Sequence, residues 1–216
     1  MNGDDLEAVA AECRKSGVTV STYQLDVTDR LRVSMWPIEV GRAHNSNSVD
    51  FLFNIAGLNG GGSFVNDPVD QWDYTFDVCW GGVYLCARAF MPLLIASESS
   101  RIINTSSVNG FWASLGSGQA HTAYSAAKFA VKGFSEALIT DLRMNAPHVK
   151  VSVVMPGHIG TSIVMNSYRA HGTEPKELTE AQIDAIRQRL AAQGLDLSGV
   201  SDEDIRLGMQ AQAEGF

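Results

Sequence analysis

Tyr124 and Lys128 are the two residues whose types and spacing best fit a chemical role. They stand four apart in a segment whose apolar residues recur at helical spacing, so both side chains project from one helix face. An ammonium beside a phenol favours the phenolate, so we expect the pKa of Tyr124 to lie below its ordinary value. Such a tyrosine can give or take a proton near neutral pH, as the interconversion of a carbonyl and an alcohol requires. The same spacing also occurs on ordinary solvated helix faces, so the pair alone is a weak signal.

Four further motifs stand in order around this pair. Leu25–Asp26–Val27, Asn54–Ile55–Ala56–Gly57 and Thr105–Ser106–Ser107 precede it, and Pro156–Gly157–His158–Ile159–Gly160–Thr161 follows it. With these motifs in this order, residues 1 to roughly 165 resemble the short-chain dehydrogenase/reductase (SDR) family. The resemblance implies an α/β fold, a Rossmann-like doubly wound parallel sheet with helices on both faces. It also implies an NAD(P)-dependent oxidoreductase that transfers a hydride between a nicotinamide cofactor and a carbonyl or alcohol substrate.

The resemblance assigns roles to three catalytic residues. Ser107 polarises the substrate oxygen, Tyr124 is the general acid/base, and Lys128 lowers the pKa of Tyr124 and holds the nicotinamide ribose. The stretch between the serines and Tyr124 is about four residues longer than the family usually has, which leaves Ser106 and Ser114 as alternative serines.

The cofactor contacts are also implied by the resemblance. Asp26 ends the third strand of the family and accepts a hydrogen bond from the adenine amino group; the alternative is that Asp26 or Thr28 only caps the next helix. The residue that selects NAD or NADP would precede Met1, so either cofactor remains open. The full set is Asp26, Val27, Asn54, Ala56, Gly57, Thr105, Tyr124, Lys128, Pro156, Gly157, Ile159 and Thr161.

Two positions depart from the family pattern. Ile55 replaces a second asparagine, for which we expect altered local packing. Cys79 stands where the family usually has an asparagine that shapes the site and positions a water for proton relay. A thiol is a poor substitute for an amide, so turnover is in doubt. Cys79 is either a small buried hydrophobe or a reactive thiol. The glycine run at residues 59–62 is not a G-x-G-x-x-G turn and is expected to be a flexible loop on the substrate side.

The hydrophobic pattern predicts alternating helices and strands. The helices are expected at 4–15, 29–45 with an interruption near Pro37, 67–94 and 123–145, and the strands at 18–25, 49–53, 101–104 and 149–154. Thr179 and Ser201 begin two further amphipathic helices. We expect one incomplete Rossmann-like domain over 1–216, with a core at 1–165 and a helical substrate lid at 166–216.

The family begins with a strand, a glycine-rich turn and a helix that bind the pyrophosphate, and the sequence contains no such segment. We therefore expect a fragment that lacks the first βαβ segment, and one more strand and helix beyond Phe216.

Composition narrows the partners and the location. The net charge of −8 argues against nucleic acid or an anionic membrane surface as partner, and no apolar run approaches the length of a membrane span. The three cysteines form no paired framework, which indicates the cytoplasm. No metal-ligand cluster stands out, so no metal is expected.

The resemblance implies a small-molecule alcohol or ketone substrate and a homodimer or homotetramer. The alternative is a non-catalytic subunit that only associates, which Cys79 and the missing glycine-rich turn both favour. A serine hydrolase is not supported, because the sequence has no G-x-S-x-G motif.

Overall fold

The computed structural model describes residues 3–113, 120–157, 159, 161–172, 179–192 and 194–207. The chain divides into two compact units, Met1–Gly157 and His158–Phe216.

The first unit is built on a parallel sheet of three strands in the order β1–β2–β3. The strands are β1 (Phe51–Asn54), β2 (Ser100–Thr105) and β3 (Val149–Val154), which confirms the three corresponding predictions. Leu52 is in register with Ile102, and Ile102 with Val151. Because the strands are parallel, their carboxyl ends meet at one edge of the sheet, where α/β proteins bind ligands.

Helices connect these strands as an α/β fold requires. The described helices of the first unit are α1 (Gly3–Arg14), α2 (Arg30–His44), α3 (Val69–Phe76), α4 (Gly82–Ile95) and α5 (Thr122–Asn145). A π-helical turn, Asp77–Gly81, joins α3 to α4 into one continuous helical segment, and a short 3₁₀ turn spans Val108–Gly110. This Rossmann-like α/β architecture is the one that the sequence resemblance implies.

The core lies between the sheet and helices α4 and α5. Leu52 and Ile102 are cross-strand neighbours on one face of the sheet, and they pack with Leu94 of α4 and Leu138 of α5. Burying each of these side chains contributes roughly 1.5–3 kcal/mol. The core therefore holds the later turns of α5 against the face of the sheet.

The predicted strand at 18–25 is wrong. Residues 18–26 form no ladder, and within the described ranges no strand pairs with the outer edge of β1. A β-rich composition favours a strand only where a neighbouring strand accepts its backbone hydrogen bonds. Phe51 and Phe53 project from β1 on the face opposite Leu52 and Asn54, and they remain 61% and 59% exposed.

The predicted interruption of the second helix is also wrong. Pro37 lies inside α2 and is buried, as is Val33 one turn before it. Proline removes one hydrogen bond from the helix, and the burial of its ring offsets part of that loss. The helix begins at its N-cap Asp29, whose carboxylate accepts from the Arg32 N–H, and it ends at Asn45 in the left-handed region.

One helical segment, Val69–Ile95, is long and apolar enough to cross a membrane by length and composition. The expectation that no apolar run reaches this length is therefore wrong. The segment carries Phe90 and Leu94, which are buried in the core against the sheet. Core helices meet the same criterion, so the finding is weak evidence for a membrane span.

Helices make up most of the described part of the second unit. It contains α6 (Ile163–Ala170), α7 (Glu180–Ala192) and a further helical stretch at 202–207. Thr179 and Gln182 form the reciprocal capping contacts predicted for α7, and Ser201 and Asp204 do the same for the next helix. These contacts confirm both predicted helix starts.

Candidate active site

Ser107, Tyr124 and Lys128 meet where β2 ends against the first two turns of α5. The Ser107 hydroxyl hydrogen-bonds to the Tyr124 phenol. The Lys128 ammonium lies 5.4 Å from the centre of the Tyr124 ring. The structure thus brings together the three residues that the sequence singled out. A hydroxyl donor, a phenol and an ammonium in contact can hold a substrate oxygen and move a proton to or from it.

Lys128 is buried, with 3% of its surface exposed, and its ammonium has a defined partner. Its Nζ donates to the Thr105 carbonyl at 2.9 Å. Burial lowers the pKa of Lys128, because a desolvated ammonium is harder to keep charged. Thr105, which was expected to contact the cofactor, therefore uses its carbonyl oxygen to hold the lysine.

The pKa of Tyr124 moves in the opposite direction to the sequence expectation. Burial raises the pKa of Tyr124, the hydrogen bond from Ser107 lowers it by a smaller amount, and the neighbouring Cys79 raises it further. The predicted lowering by Lys128 is wrong for this geometry. The ammonium lies beside the ring and donates to Thr105, so burial of the phenol dominates.

The two described candidate serines have different partners. Ser107 bonds to Tyr124, and its hydroxyl oxygen also accepts from the Asn109 N–H at 3.1 Å. Ser106 instead donates its hydroxyl to the backbone carbonyl of Lys128 at 2.7 Å. Ser107 is therefore the serine that faces the phenol. Ser114 lies outside the described residues.

The glycine run after β1 holds the start of α5. The carbonyls of Gly61 and Gly62 accept from the Ala123 and Thr122 N–H groups at 3.1 and 3.0 Å. Gly61 has φ +55°, and a Cβ there would stand 2.8 Å from the Ala123 Cβ. Only glycine fits this turn without strain. The segment expected to be a flexible loop therefore caps the helix directly before Tyr124.

Cys79 lies in the π-helical turn, fully buried beside Lys128. Its thiol donates to the Leu58 carbonyl at 3.2 Å. Burial raises the pKa of the Cys79 thiol, and the nearby ammonium of Lys128 lowers it by less. A buried thiol with a raised pKa is protonated and unreactive at neutral pH, which favours the structural interpretation over the reactive one.

The side chain of Asn54 is buried and hydrogen-bonded inside the protein. Its amide donates to the Asn104 side chain at 2.8 Å, and Asn104 donates to the Ser135 hydroxyl at 2.9 Å. This buried chain joins β1, β2 and α5. The side chain of Asn54 was expected to contact the cofactor, and in the structure it stabilises the sheet.

Ala56 and Gly57 are exposed at the carboxyl end of β1. A Cβ added to Gly57 would stand 3.6 Å from the Lys128 Nζ and 3.9 Å from the Cys79 sulfur. The end of β1 therefore lies directly over the lysine, and a ligand that reaches Lys128 passes the exposed backbone at Gly57.

Asp26 and Val27 lie in the ladder-free segment before α2. The exposed Asp26 carboxylate accepts from the Thr28 N–H and hydroxyl at 2.9 and 2.8 Å. The cap of α2 is Asp29, so neither Asp26 nor Thr28 has the capping role considered as the alternative. Val27 packs on Gly82, where a Cβ would stand 2.8 Å from the valine.

The loop after β3 begins in the first unit. The Pro156 carbonyl accepts from the Val108 N–H at 3.0 Å, which ties Pro156 to the 3₁₀ turn, and Gly157 follows with its surface exposed. Ile159 and Thr161 are exposed residues of the second unit. His158 and Gly160 lie outside the described residues.

Sequence reasoning missed several residues that position the site. Asn104, Ser135 and Ser106 act through buried hydrogen bonds, and Trp72 donates its indole N–H to the Thr122 hydroxyl at 3.0 Å. One available signal was that Asn104 and Asn54 both end buried strands, which puts them at the same edge of a parallel sheet. Among the residues the structure describes, no group of three potential metal ligands occurs.

The structure thus has a parallel α/β sheet with a serine, a tyrosine and a lysine together at its carboxyl edge. The chain belongs to the short chain dehydrogenase family, whose model matches residues 1–172.

Relatives and solved structures agree with this assignment. The chain is 31% identical over 181 residues to the uncharacterized oxidoreductase YxbG of Bacillus subtilis, covering 83% of this chain and 62% of that protein. It is 33% identical over 177 residues to the putative oxidoreductase SadH of Mycobacterium tuberculosis, covering 82% and 62%. The chain thus spans about three fifths of the length of these relatives.

Two similar crystal structures are complexes with nicotinamide nucleotides. An SDR from Burkholderia phymatum in complex with NAD has a TM-score of 0.70 and 28% identity, covering 97% of this chain and 73% of that one. A metagenomic short-chain oxidoreductase in complex with NADP has a TM-score of 0.62 and 30% identity, covering 72% and 67%.

Proposed function

We propose that the chain is the catalytic part of an NAD(P)-dependent oxidoreductase that interconverts a carbonyl and an alcohol in a small molecule. The observation that carries the proposal is the contact of Ser107, Tyr124 and Lys128 at the carboxyl edge of the sheet. Complexes of similar structures with NAD and with NADP support either nucleotide as cofactor.

The described residues fit parts of such a nucleotide. Gly57 leaves open backbone beside the Lys128 ammonium, which suits the nicotinamide ribose. Asp26 has one carboxylate oxygen bonded to Thr28 and is exposed, so its other oxygen suits the adenine amino group. The sequence contains no G-x-G-x-x-G turn for the pyrophosphate. We expect Val27, Asn54, Ala56, Thr105, Pro156, Gly157, Ile159 and Thr161 to complete the cofactor side.

In carbonyl reduction, the bound nicotinamide supplies the hydride to the substrate carbon. Ser107 donates a hydrogen bond to the substrate oxygen, and Tyr124 gives its phenolic proton to the same oxygen as negative charge develops there. Lys128, held by the Thr105 carbonyl, is placed beside the open backbone at Gly57 to hold the nicotinamide ribose. In alcohol oxidation the phenolate of Tyr124 takes the hydroxyl proton instead.

The direction of the Tyr124 pKa predicts the pH dependence. Reduction needs the protonated phenol, and burial raises the pKa of Tyr124, so the reduction rate holds through neutral pH and falls only above that pKa. Oxidation needs the phenolate, so its rate rises over the same alkaline range. A reduction rate that falls between pH 6 and 8 would contradict this assignment.

Tyr124→Phe tests the role of the phenol directly. We expect the turnover of a panel of ketones, followed by nicotinamide absorbance, to fall by roughly 10²- to 10⁴-fold, because the proton donor is lost. Tyr23→Phe, whose ring packs against Trp36 of α2, is the matched control and should keep its rate. Equal rates for wild type and Tyr124→Phe would refute the acid/base role.

A second candidate is a non-catalytic subunit that acts by association. The observation that favours it is Cys79, which stands where the family usually has a relay asparagine. The Cys79 thiol donates its hydrogen bond to the Leu58 carbonyl. If Cys79 limits the relay, Cys79→Asn raises the turnover of an active chain. A folded chain that binds neither nucleotide would favour this second candidate.

Assembly and location are part of the proposal. In the family the helices that carry Cys79 and Tyr124 pair across a dimer axis, and on these helices Tyr84 and Phe129 are exposed here. We expect a homodimer or homotetramer in the cytoplasm, where the three free cysteines stay reduced. We expect residues 166–216 to form the substrate lid of the same domain. A monomer in light scattering would contradict the assembly.

A further inference from the structure

Two consecutive residues at the end of β2 hold Lys128 at two points. The Thr105 carbonyl accepts from the Lys128 ammonium at 2.9 Å, and the Ser106 hydroxyl donates to the Lys128 backbone carbonyl at 2.7 Å. Ser106 is 2% exposed, and its own N–H donates to the Val154 carbonyl at the end of β3. The end of the sheet thus fixes both the tip and the backbone of the lysine.

The hydrogen bond from Ser106 to the Lys128 carbonyl is additional to the backbone hydrogen bonds within α5. A carbonyl inside an α-helix already accepts from the N–H four residues later, so Lys128 does not need Ser106 to satisfy its backbone. Since a carbonyl oxygen has two lone pairs, it can take the second donor without losing the first. The bond therefore stabilises the contact between helix and strand and adds nothing to the helix itself.

Gly110 closes the same contact from the other side. A Cβ at Gly110 would stand 2.3 Å from the Ser106 hydroxyl and 2.6 Å from the Lys128 carbonyl. The 3₁₀ turn that follows Ser107 can lie against α5 only because residue 110 has no side chain. Ser106, Gly110 and the Lys128 carbonyl form one packed contact, which we name the lysine seat.

We propose that Ser106 is a positioning residue. Through the lysine seat it fixes the position of α5 along the helix axis relative to the end of β2, so that Tyr124 contacts the Ser107 hydroxyl. Ser106 and Ser107 are neighbours, and their hydroxyls bond to residues one helical turn apart, Lys128 and Tyr124. The Ser106 bond anchors α5 one turn after Tyr124, and the Gly61 and Gly62 carbonyls hold the helix start before it. This inference deepens the proposed function and rests on it for its catalytic meaning.

The same strand supplies a matched control. Ser100, at the start of β2, is also buried and donates its hydroxyl to a helix carbonyl, that of Leu94 at 2.8 Å. Ser100→Ala and Ser106→Ala therefore remove the same chemical group with similar burial from the two ends of one strand. Only Ser106 is next to the candidate active site.

The test measures the titration of Tyr124 by NMR, with tyrosine labelled with ¹³C at the ring carbon that bears oxygen. Tyr124→Phe identifies the signal, and no turnover is needed. Because the Ser107 hydrogen bond lowers the pKa of Tyr124, its loosening in Ser106→Ala should move the titration midpoint up by roughly half a pH unit, as for a weakened hydrogen bond. Ser100→Ala should leave the midpoint unchanged, and Ser106→Thr, which keeps the hydroxyl, should restore it.

The outcomes separate the alternatives. An unchanged midpoint in Ser106→Ala, an equal shift in Ser100→Ala, or a shift downward as Tyr124 becomes hydrated would each overturn the proposal. If Ser106→Ala does not fold, Ser106→Thr decides: a wild-type midpoint supports the lysine seat, and a raised midpoint in this folded variant refutes it. Turnover is then measured separately. A shifted midpoint in a chain that turns over no ketone would retain the lysine seat and reject the oxidoreductase.

Discussion

The two sides of β1 differ in how firmly they are built. Toward β2 the strand is in register, and Asn54 joins a buried hydrogen-bond chain through Asn104 to Ser135 of α5. On the opposite face of the sheet Phe51 and Phe53 stack on each other with their surfaces exposed, and no described strand pairs with the outer edge of β1. The candidate catalytic residues all lie on the first side. Asp26, proposed for the adenine end of the cofactor, lies in the ladder-free segment.

This difference separates the site into a preorganised part and an open part. At the junction of β2 and α5, burial and hydrogen bonds hold Ser107, Tyr124 and Lys128 in contact. At Asp26 the carboxylate accepts hydrogen bonds from Thr28, two residues away, and its side chain is exposed. Catalytic geometry requires the first kind of support, because small displacements of a proton donor reduce its rate.

The largest expected effect is on stability and tests whether the two sides differ energetically. Ile102→Ala removes a fully buried side chain at the centre of the core and should lower the free energy of unfolding by about 2–5 kcal/mol. Phe53→Ala, on the exposed face of β1, should cost less than about 1 kcal/mol despite the larger side chain. Urea denaturation of both variants measures the difference. Equal losses would show that the exposed face is packed as firmly as the core.

A smaller effect tests the lysine seat by adding one methyl group. Gly110→Ala places a Cβ against the Lys128 carbonyl and should destabilise by about 1–3 kcal/mol through overpacking. Gly133→Ala, in the middle of α5 with nothing within 4 Å of the added Cβ, is the control. It should stabilise the protein by about 0.5–1 kcal/mol through helix propensity. Thermal unfolding of both variants gives the two signs, and a neutral Gly110→Ala would contradict the close approach of the 3₁₀ turn.

The sequence predicted those features that depend on local periodicity or on motif order. Three strands, the helix that carries Tyr124 and the two capping boxes follow from residue spacing, and Ser107 follows from its place in the motif order. These signals lie within a few residues of the feature they predict.

The remaining features depend on contacts distant in sequence. Residues 18–25 have strand composition, and whether they pair depends on a neighbouring strand. The direction of the Tyr124 pKa depends on burial by elements from other parts of the chain. The capping role of Gly61 and Gly62 and the bond from Ser106 to Lys128 join residues 22 or more positions apart, and no local pattern encodes them.

The most direct test of the central claim is nucleotide binding at the junction of β2 and α5. We expect NADH or NADPH to bind the purified chain saturably in a fluorescence titration, and Lys128→Met to weaken that binding. Lys132→Met is the control, since Lys132 lies one turn further on the same helix and pairs at the surface with Glu136. Saturable binding lost only in Lys128→Met is the result we predict. A folded chain that binds neither nucleotide, or that binds equally well without Lys128, would contradict the account.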